Sequence, residues 1–274
     1  MLEFLDINGE RIAFRRAGQG PAVLLIHSLG LDCGLWTRTL EALSDRFAVV
    51  ALDCRGHGAS SNRGGFTVEA VASDARTLME TLGHARFHVV GMSMGGLMAA
   101  RVAAKAPSSV LCLVLCGAYV SVGAAGPPRI AATRAELANT SMADFGRAYA
   151  DDTILPTSDA AARRFVAHAI AKMTAGDYLD TIEAILTADI TSLLPAIAAP
   201  TLVLTGSADR RAPPEKGREL AHAVRNARFE ELQGAGHLAV LDAPDIFNSH
   251  LRGFLTQGHL GDGATRSTGR HPPR

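Results

Sequence analysis

"VVGMSMGGLMAARVAAKAP" (residues 89–107) joins an apolar, β-branched run to a run of helix formers through a Gly-x-Ser-x-Gly turn. Ser93 stands at the junction, with Gly91 two residues before it and Gly95 two residues after it. A serine on a sharp strand-to-helix turn has room only for small residues at those flanking positions, and the helix behind it points amide N–H groups toward it. Such a serine is either a nucleophile or one polar residue closing a tight turn. A hydroxyl is a weak nucleophile near neutral pH. It needs a base to take its proton, a group that orients the base, and donors for the developing oxyanion.

The surrounding chain alternates strand and helix. "PAVLLIH" (21–27), "FAVVALD" (47–53), "RFHVVG" (86–91), "VLCLVLCG" (110–117) and "PTLVLTG" (200–206) read as strands, most of them apolar throughout, as strands buried on both faces are. "RFEELQ" (228–233) reads as the last strand. Helical spacing marks 35–44, 67–83, the stretch ending before Pro107, and regions near 214–224 and 243–255. Two short strands at 3–7 and 11–17 are joined by "NGE" as a hairpin turn. The alternation predicts an α/β fold with a mostly parallel twisted sheet and helices on both faces. It breaks between about 120 and 195, where "ELANTSMADFGRAYA", "DAAARRFVAHAIAKM" and "DYLDTIEAILTA" are helical and no buried strand is evident. The expected organisation is a core made of 1–119 and 196–256, a helical lid (cap) insertion at 120–195, and a disordered, polar, Gly-rich tail at 257–274.

Partners for Ser93 are found after the last two strands. "LQGAGHLAVLDAPDIF" places His237 in a glycine-rich loop after the final strand, and "PTLVLTGSADRRAPP" places Asp209 in the loop after the preceding one. All three residues emerge at the carboxyl edge of a parallel sheet, where open α/β sheets bind ligands. The chain order is Ser, Asp, His, and three independent placements agree.

These segments resemble the α/β-hydrolase superfamily over about residues 10–255. "HSLG" (27–30) resembles its oxyanion loop, "DCRGHGAS" (53–60) the loop after its fourth strand, and "GMSMGG" (91–96) its nucleophile elbow. Within the superfamily, "LLIHSLGLDCGLW", "LDCRGHGAS", "GMSMGGL", "VLCGA" and "APTLVLTGSAD" are most similar to 3-oxoadipate enol-lactonases and their relatives. The resemblance implies a cofactor-independent serine hydrolase acting on a carboxylic ester or lactone through an acyl-enzyme. Ser93 is then the nucleophile, His237 the base, Asp209 its orienting acid, and the backbone N–H groups of Leu29 and Met94 the oxyanion donors. It implies a small enol-lactone of aromatic-degradation type as substrate. A C–C bond hydrolase of a vinylogous diketone, a perhydrolase-type activity and a non-catalytic ligand receptor on the same fold remain as alternatives. Labelling of Ser93 by a fluorophosphonate separates enzyme from receptor.

Composition narrows the partners. The 274 residues carry 27 Lys+Arg and 27 Asp+Glu, so no basic face is offered to nucleic acid or an acidic membrane. Charges in "MLEFLDINGER" argue against a signal peptide, and Val110 to Val120 is too short to span a bilayer, so a cytoplasmic location is expected. Cys33, Cys54, Cys112 and Cys116 have no CxxC spacing and read as buried free thiols. No metal-ligand spacing and no GxGxxG or Walker pattern is present, so neither metal nor nucleotide cofactor is expected. Ser28 and Trp36 are candidates for the substrate pocket. His27, Asp53, Arg55 and His57 read as a loop-bracing network, and Asp45, Asp74 and Asp242 as helix ends or solvated faces. In the lid, Phe165, Ala169, Ile170 and Met173 share a helical face suited to an apolar pocket. A carboxylated lactone would also need a cation there, for which Arg129, Arg134, Arg147, Arg163, Arg164 and the off-lid Arg210 are candidates.

Overall fold

Each run read as a strand is a strand in the computed structural model, which describes residues 1–264. They are β1 (Glu3–Ile7), β2 (Glu10–Ala17), β3 (Ala22–Ile26), β4 (Ala48–Leu52), β5 (Phe87–Met92), β6 (Val110–Cys116), β7 (Thr201–Gly206) and β8 (Ala227–Leu232). They form one sheet in the order β1-β2-β4-β3-β5-β6-β7-β8. The first hairpin enters antiparallel, β2 against β4, and all later neighbours pair parallel. Every residue of β3, β5 and β7 is buried, which explains their unbroken apolar runs.

Helices α1 (Thr37–Leu43), α2 (Val68–Thr81) and α3 (Met94–Lys105) cross between the early strands. Thr67 caps α2 by accepting from the Ala70 N–H, so the turn that starts this crossover is set locally. Four helices follow β6 in the segment expected to be inserted: α4 (Gly126–Leu137), α5 (Met142–Thr153), α6 (Ala160–Ala171) and α7 (Ala175–Leu186). Ser141, Asp159 and Thr174 cap α5, α6 and α7 through their side-chain oxygens. In this segment, α4 packs on α7 and α5 on α6. After β7 come α8 (Pro214–Ala223), α9 (Ala239–Asp242) and α10 (Pro244–Ala264).

Two expectations need correction. The backbone of α10 stays helical over 257–264, where a disordered tail was expected; the remainder of that tail, 265–274, lies outside the described residues. The α6 face carrying Phe165 and Ile170 meets the loop after β3 instead of lining a pocket. A Cβ on Gly30 would stand 2.7 Å from Ile170 Cγ1, and one on Gly34 would stand 3.0 Å from Phe165. That face therefore packs α6 on the loop after β3. Among the described residues no helix is long and apolar enough to cross a membrane.

Candidate active site

The turn between β5 and α3 holds Ser93 at φ +51°, ψ −111°, a left-handed backbone that a side chain adopts only under constraint. The constraint is close packing of backbone on backbone. A Cβ at Gly91 would lie 2.2 Å from the Gly95 carbonyl oxygen, and one at Gly95 would lie 2.2 Å from that of Ile26. The Ser93 N–H donates to the Cys116 carbonyl at 2.7 Å, which anchors the turn to the end of β6. Met94 opens α3, where a helix leaves N–H groups without an intrahelical acceptor. Among the described residues no backbone carbonyl accepts from the N–H of Met94 or of Leu29.

His237 stands in the loop between β8 and α9, and Asp209 in the loop after β7. The Ser93 Oγ is 2.9 Å from His237 Nε2, and His237 Nδ1 is 2.9 Å from Asp209 Oδ2. The second Asp209 oxygen accepts the N–H groups of Arg211 at 2.8 Å and Ala212 at 2.9 Å. Those two donors fix the carboxylate plane, which leaves Oδ2 as the nearer oxygen to the imidazole, with Oδ1 3.1 Å from His237 Nδ1. A cavity of about 450 Å³ opens on Ser93, His237 and Leu29. Phe145, Tyr178, Ile182, Ile185 and Leu186 form its apolar walls, and Arg129, Glu136, Asp152 and Arg211 supply its charged groups. All three tyrosines of the chain, Tyr119, Tyr149 and Tyr178, line this cavity. Burial pushes the Tyr119 hydroxyl up to about 12, so it faces the cavity as a neutral donor.

Of the arginine candidates, only Arg129 lines this cavity; Arg147, Arg163 and Arg164 line a separate surface hollow, and Arg134 pairs with Glu183. Arg210 lines a neighbouring cleft. Arg211 escaped the sequence reading although it adjoins Arg210; it lies over the Tyr149 ring at 4.4 Å and pairs with Asp152 at 2.7 Å. Ser28 and Trp36, expected in the pocket, take no part in its walls. Ser28 is fully buried, its carbonyl accepting from His27 Nδ1 and the Leu31 N–H. Trp36 is fully buried against Phe247, with ring centroids 6.1 Å apart, between the loop after β3 and α10.

The loop-bracing residues fill the floor beneath. His27 Nε2 accepts from the Cys54 N–H at 2.9 Å, and Asp53 accepts from the N–H groups of Cys33 and Ala59. Burial lowers His27 to about 4 and His57 to about 3, so both are neutral near pH 7. Asp74 is not a solvated helix residue: it is 1% exposed and takes a two-point bond from Arg55, at 2.5 and 3.0 Å. Asp32, Cys33 and Asp53 are the one group of metal-ligand spacing among the described residues. Their oxygens already accept backbone N–H groups, and burial with Asp53 nearby pushes the Cys33 thiol up, so the cluster fits loop bracing better than an ion.

A family model described as the α/β-hydrolase fold matches residues 21–244. The crystal structure of the enol-lactonase from Burkholderia xenovorans LB400 superposes with a TM-score of 0.82 at 31% identity, covering 93% of this chain and 100% of that one. A thermophilic esterase from Thermogutta terrifontis superposes with a TM-score of 0.86 at 26% identity, covering 94% and 99%. A curated relative, 3-oxoadipate enol-lactonase 1 of Acinetobacter baylyi, is 26% identical over 238 residues, 86% of this chain and 88% of that protein. Other curated relatives are much longer than their matched part. The chain spans 13% of the polyketide synthase ThaQ of Burkholderia thailandensis and 31% of an acetoin-cleaving acetyltransferase component of Cupriavidus necator.

Proposed function

The chain belongs to the α/β-hydrolase fold family, and from that premise we propose that it is a cofactor-independent serine hydrolase of a carboxylic ester or lactone. The observation that carries the reading is the unbroken relay from Asp209 through His237 to Ser93, ending on the mouth of a cavity. His237 Nε2 accepts the Ser93 proton as Oγ attacks the substrate carbonyl carbon. The oxyanion is received by the N–H groups of Met94 and Leu29. Collapse of the adduct passes the proton from His237 to the leaving oxygen and leaves an acyl group on Ser93. Water, deprotonated by His237, then attacks that acyl carbon and releases the acid. Asp209 holds the Nδ1–H tautomer throughout and stabilises the imidazolium.

Within this class we assign a small lactone of the enol-lactone type, carrying a carboxylate that Arg129 meets at the polar end of the pocket. Similarity to the enol-lactonases of Acinetobacter baylyi and Burkholderia xenovorans supports it. Ring opening adds a second carboxylate to such a substrate, and Glu136 and Asp152, which also line the cavity, would repel the product. One observation favours a second reading, a neutral ester: the two pocket arginines are matched by two carboxylates, and Arg211 is already engaged by Asp152. A fluorophosphonate probe with peptide mapping, followed by turnover of p-nitrophenyl acetate and of a carboxylated enol-lactone, tests both levels. Labelling at Ser93 with ester turnover is expected. An unlabelled Ser93 in folded protein excludes the serine-hydrolase reading.

A further inference from the structure

Asp242 ends α9, five residues after His237, and its side chain turns back into the protein. One carboxylate oxygen, Oδ2, accepts the N–H of Gly236 at 3.1 Å, on the residue immediately before His237. The other, Oδ1, accepts the Ser158 hydroxyl at 2.5 Å and the Leu155 N–H at 3.2 Å, both in the linker between α5 and α6 of the cap. Gly236 is held from two sides: a Cβ there would lie 2.8 Å from Asp242 Oδ2 and 3.1 Å from Leu155 Cγ. The linker is fixed from its far side as well, since Arg163 donates to the Ile154 and Leu155 carbonyls and pairs with Asp151.

The same linker walls a second cleft of about 350 Å³, formed by 151–156 with Ala208, Arg210 and Arg211, which reaches His237 but not Ser93. His237, Asp152 and Arg211 line both this cleft and the substrate cavity. His237 therefore sits where the cap linker and the Asp209 loop converge.

We infer that Asp242 is a positioning residue that couples the cap to the candidate base: one carboxylate seats both the α5–α6 linker and the backbone that carries His237. Displacement of the linker pulls on Oδ1, and through the rigid carboxylate on the Gly236 peptide, so it turns the imidazole away from Ser93. The inference rests on His237 being the base of the proposed hydrolase. The charges around His237 are Asp209, Asp242, Asp151, Asp152, Arg210 and Arg211, with Arg163 behind the linker. Burial pushes the Asp242 carboxyl up from its ordinary value, while its donors and the nearby His237 favour the anion. An anion there favours the imidazolium that forms during proton transfer, beyond any effect on packing.

Asp242→Asn tests this in the full chain. An asparagine whose oxygen serves Ser158 and Leu155 turns its NH₂ toward the Gly236 N–H, donor against donor. Expected are a loss of about tenfold to a hundredfold in kcat for p-nitrophenyl acetate with little change in KM, as for a slightly misplaced catalytic group. The acid limb of the kcat/KM profile should move to lower pH, because an anion beside the imidazole is gone. Hydrogen exchange should quicken together in 153–158 and 234–238. Wild-type kcat and acid limb in Asp242→Asn overturn the proposal, and so does quickened exchange in only one segment. Should Asp242→Asn not fold, Ser158→Ala keeps the carboxylate and removes the shorter of the linker's two bonds to it. Faster exchange at 234–238 then supports the coupling, and unchanged exchange there overturns it. If Ser93 in folded wild-type protein takes no fluorophosphonate and neither ester nor lactone is hydrolysed, the hydrolase reading fails, whereas the exchange arm still decides the coupling.

Discussion

Ser93 Oγ and His237 Nε2 stand 2.9 Å apart although they are 144 positions apart in the chain. The parallel sheet makes this possible. β5 and β8 run in the same direction, so the turns at their carboxyl ends open on one edge. Ser93 is fixed there by a strained turn and His237 by the loop that Asp242 holds.

Ser93→Ala and His237→Ala should each lower ester or lactone turnover by about 10⁴ or more, with wild-type thermal unfolding. The double variant should be little worse than either single one, because neither residue works without the other. Losses that multiply in the double variant would count against a shared proton transfer.

Asp209→Asn should lose about 10⁴ in kcat, the effect known for a triad acid replaced by its amide. The reason is local. The N–H groups of Arg211 and Ala212 hold the amide oxygen, which turns the NH₂ toward His237 Nδ1 and forces the wrong tautomer. The end of β6 also lies against this pair, but it carries Gly117, whose added Cβ would come 3.3 Å from His237 Nδ1. "VLCGAYVSVGAAG" has no carboxylate to substitute from there. Full activity in Asp209→Asn would mean another group orients His237.

The buried histidines give the fold an acid-sensitive floor. His27 and His57 are lowered from 6.5 to about 4 and about 3, so the unfolded chain binds more protons than the folded one between about pH 4 and 6.5. Stability is therefore highest above pH 6.5 and falls as pH drops through that window. Urea midpoints at pH 7.5, 5.5 and 4.5 should fall in that order; a flat series would show that the two rings are not held neutral.

The fold and the relay were legible because each rests on a local constraint. Buried strands must be apolar throughout, and Gly91 and Gly95 are the only residues that fit beside the Ser93 turn. His237 and Asp209 stand in the loops after the last two strands, at the carboxyl edge where a base and its acid partner are sought. The pocket was not legible in the same way. Its walls come from α4, α5 and α7, and helical spacing identifies an apolar face without saying which neighbour it meets. Thus the Phe165 and Ile170 face was read as pocket lining when it packs α6 on Gly30 and Gly34. Trp36, read as core or pocket wall, is core, buried against Phe247. Asp74 and Asp242 looked like ordinary helix-end carboxylates because their partners, Arg55 and Ser158, are distant in sequence. Arg211 was hidden beside Arg210: both line the neighbouring cleft, and of the two Arg211 also reaches the substrate cavity.

The charged end of the pocket decides between the two substrate readings. Arg211 is held by Asp152 and stacked on Tyr149, so Arg129 on α4 is the cation better placed to receive a substrate carboxylate. A charge-assisted hydrogen bond contributes about 1.5–3 kcal/mol. Arg129→Gln should therefore raise KM for a carboxylated enol-lactone by about tenfold to a hundredfold. It should leave p-nitrophenyl acetate unchanged, because that ester has no charge to place there. Arg134→Gln, whose parent side chain pairs with Glu183 outside the pocket, is the control and should change neither. Asp152→Asn should act in the opposite direction. It frees Arg211 and removes a repelling carboxylate, so KM for the anionic lactone should fall while the neutral ester is spared. Steady-state kinetics of the three variants on both substrates carries the test. If neutral esters are hydrolysed far better than any carboxylated lactone and neither pocket variant shifts KM, the enol-lactone assignment fails. The Ser93 relay would then serve a neutral ester, with the Arg211–Asp152 pair as a structural clasp between α5 and the Asp209 loop.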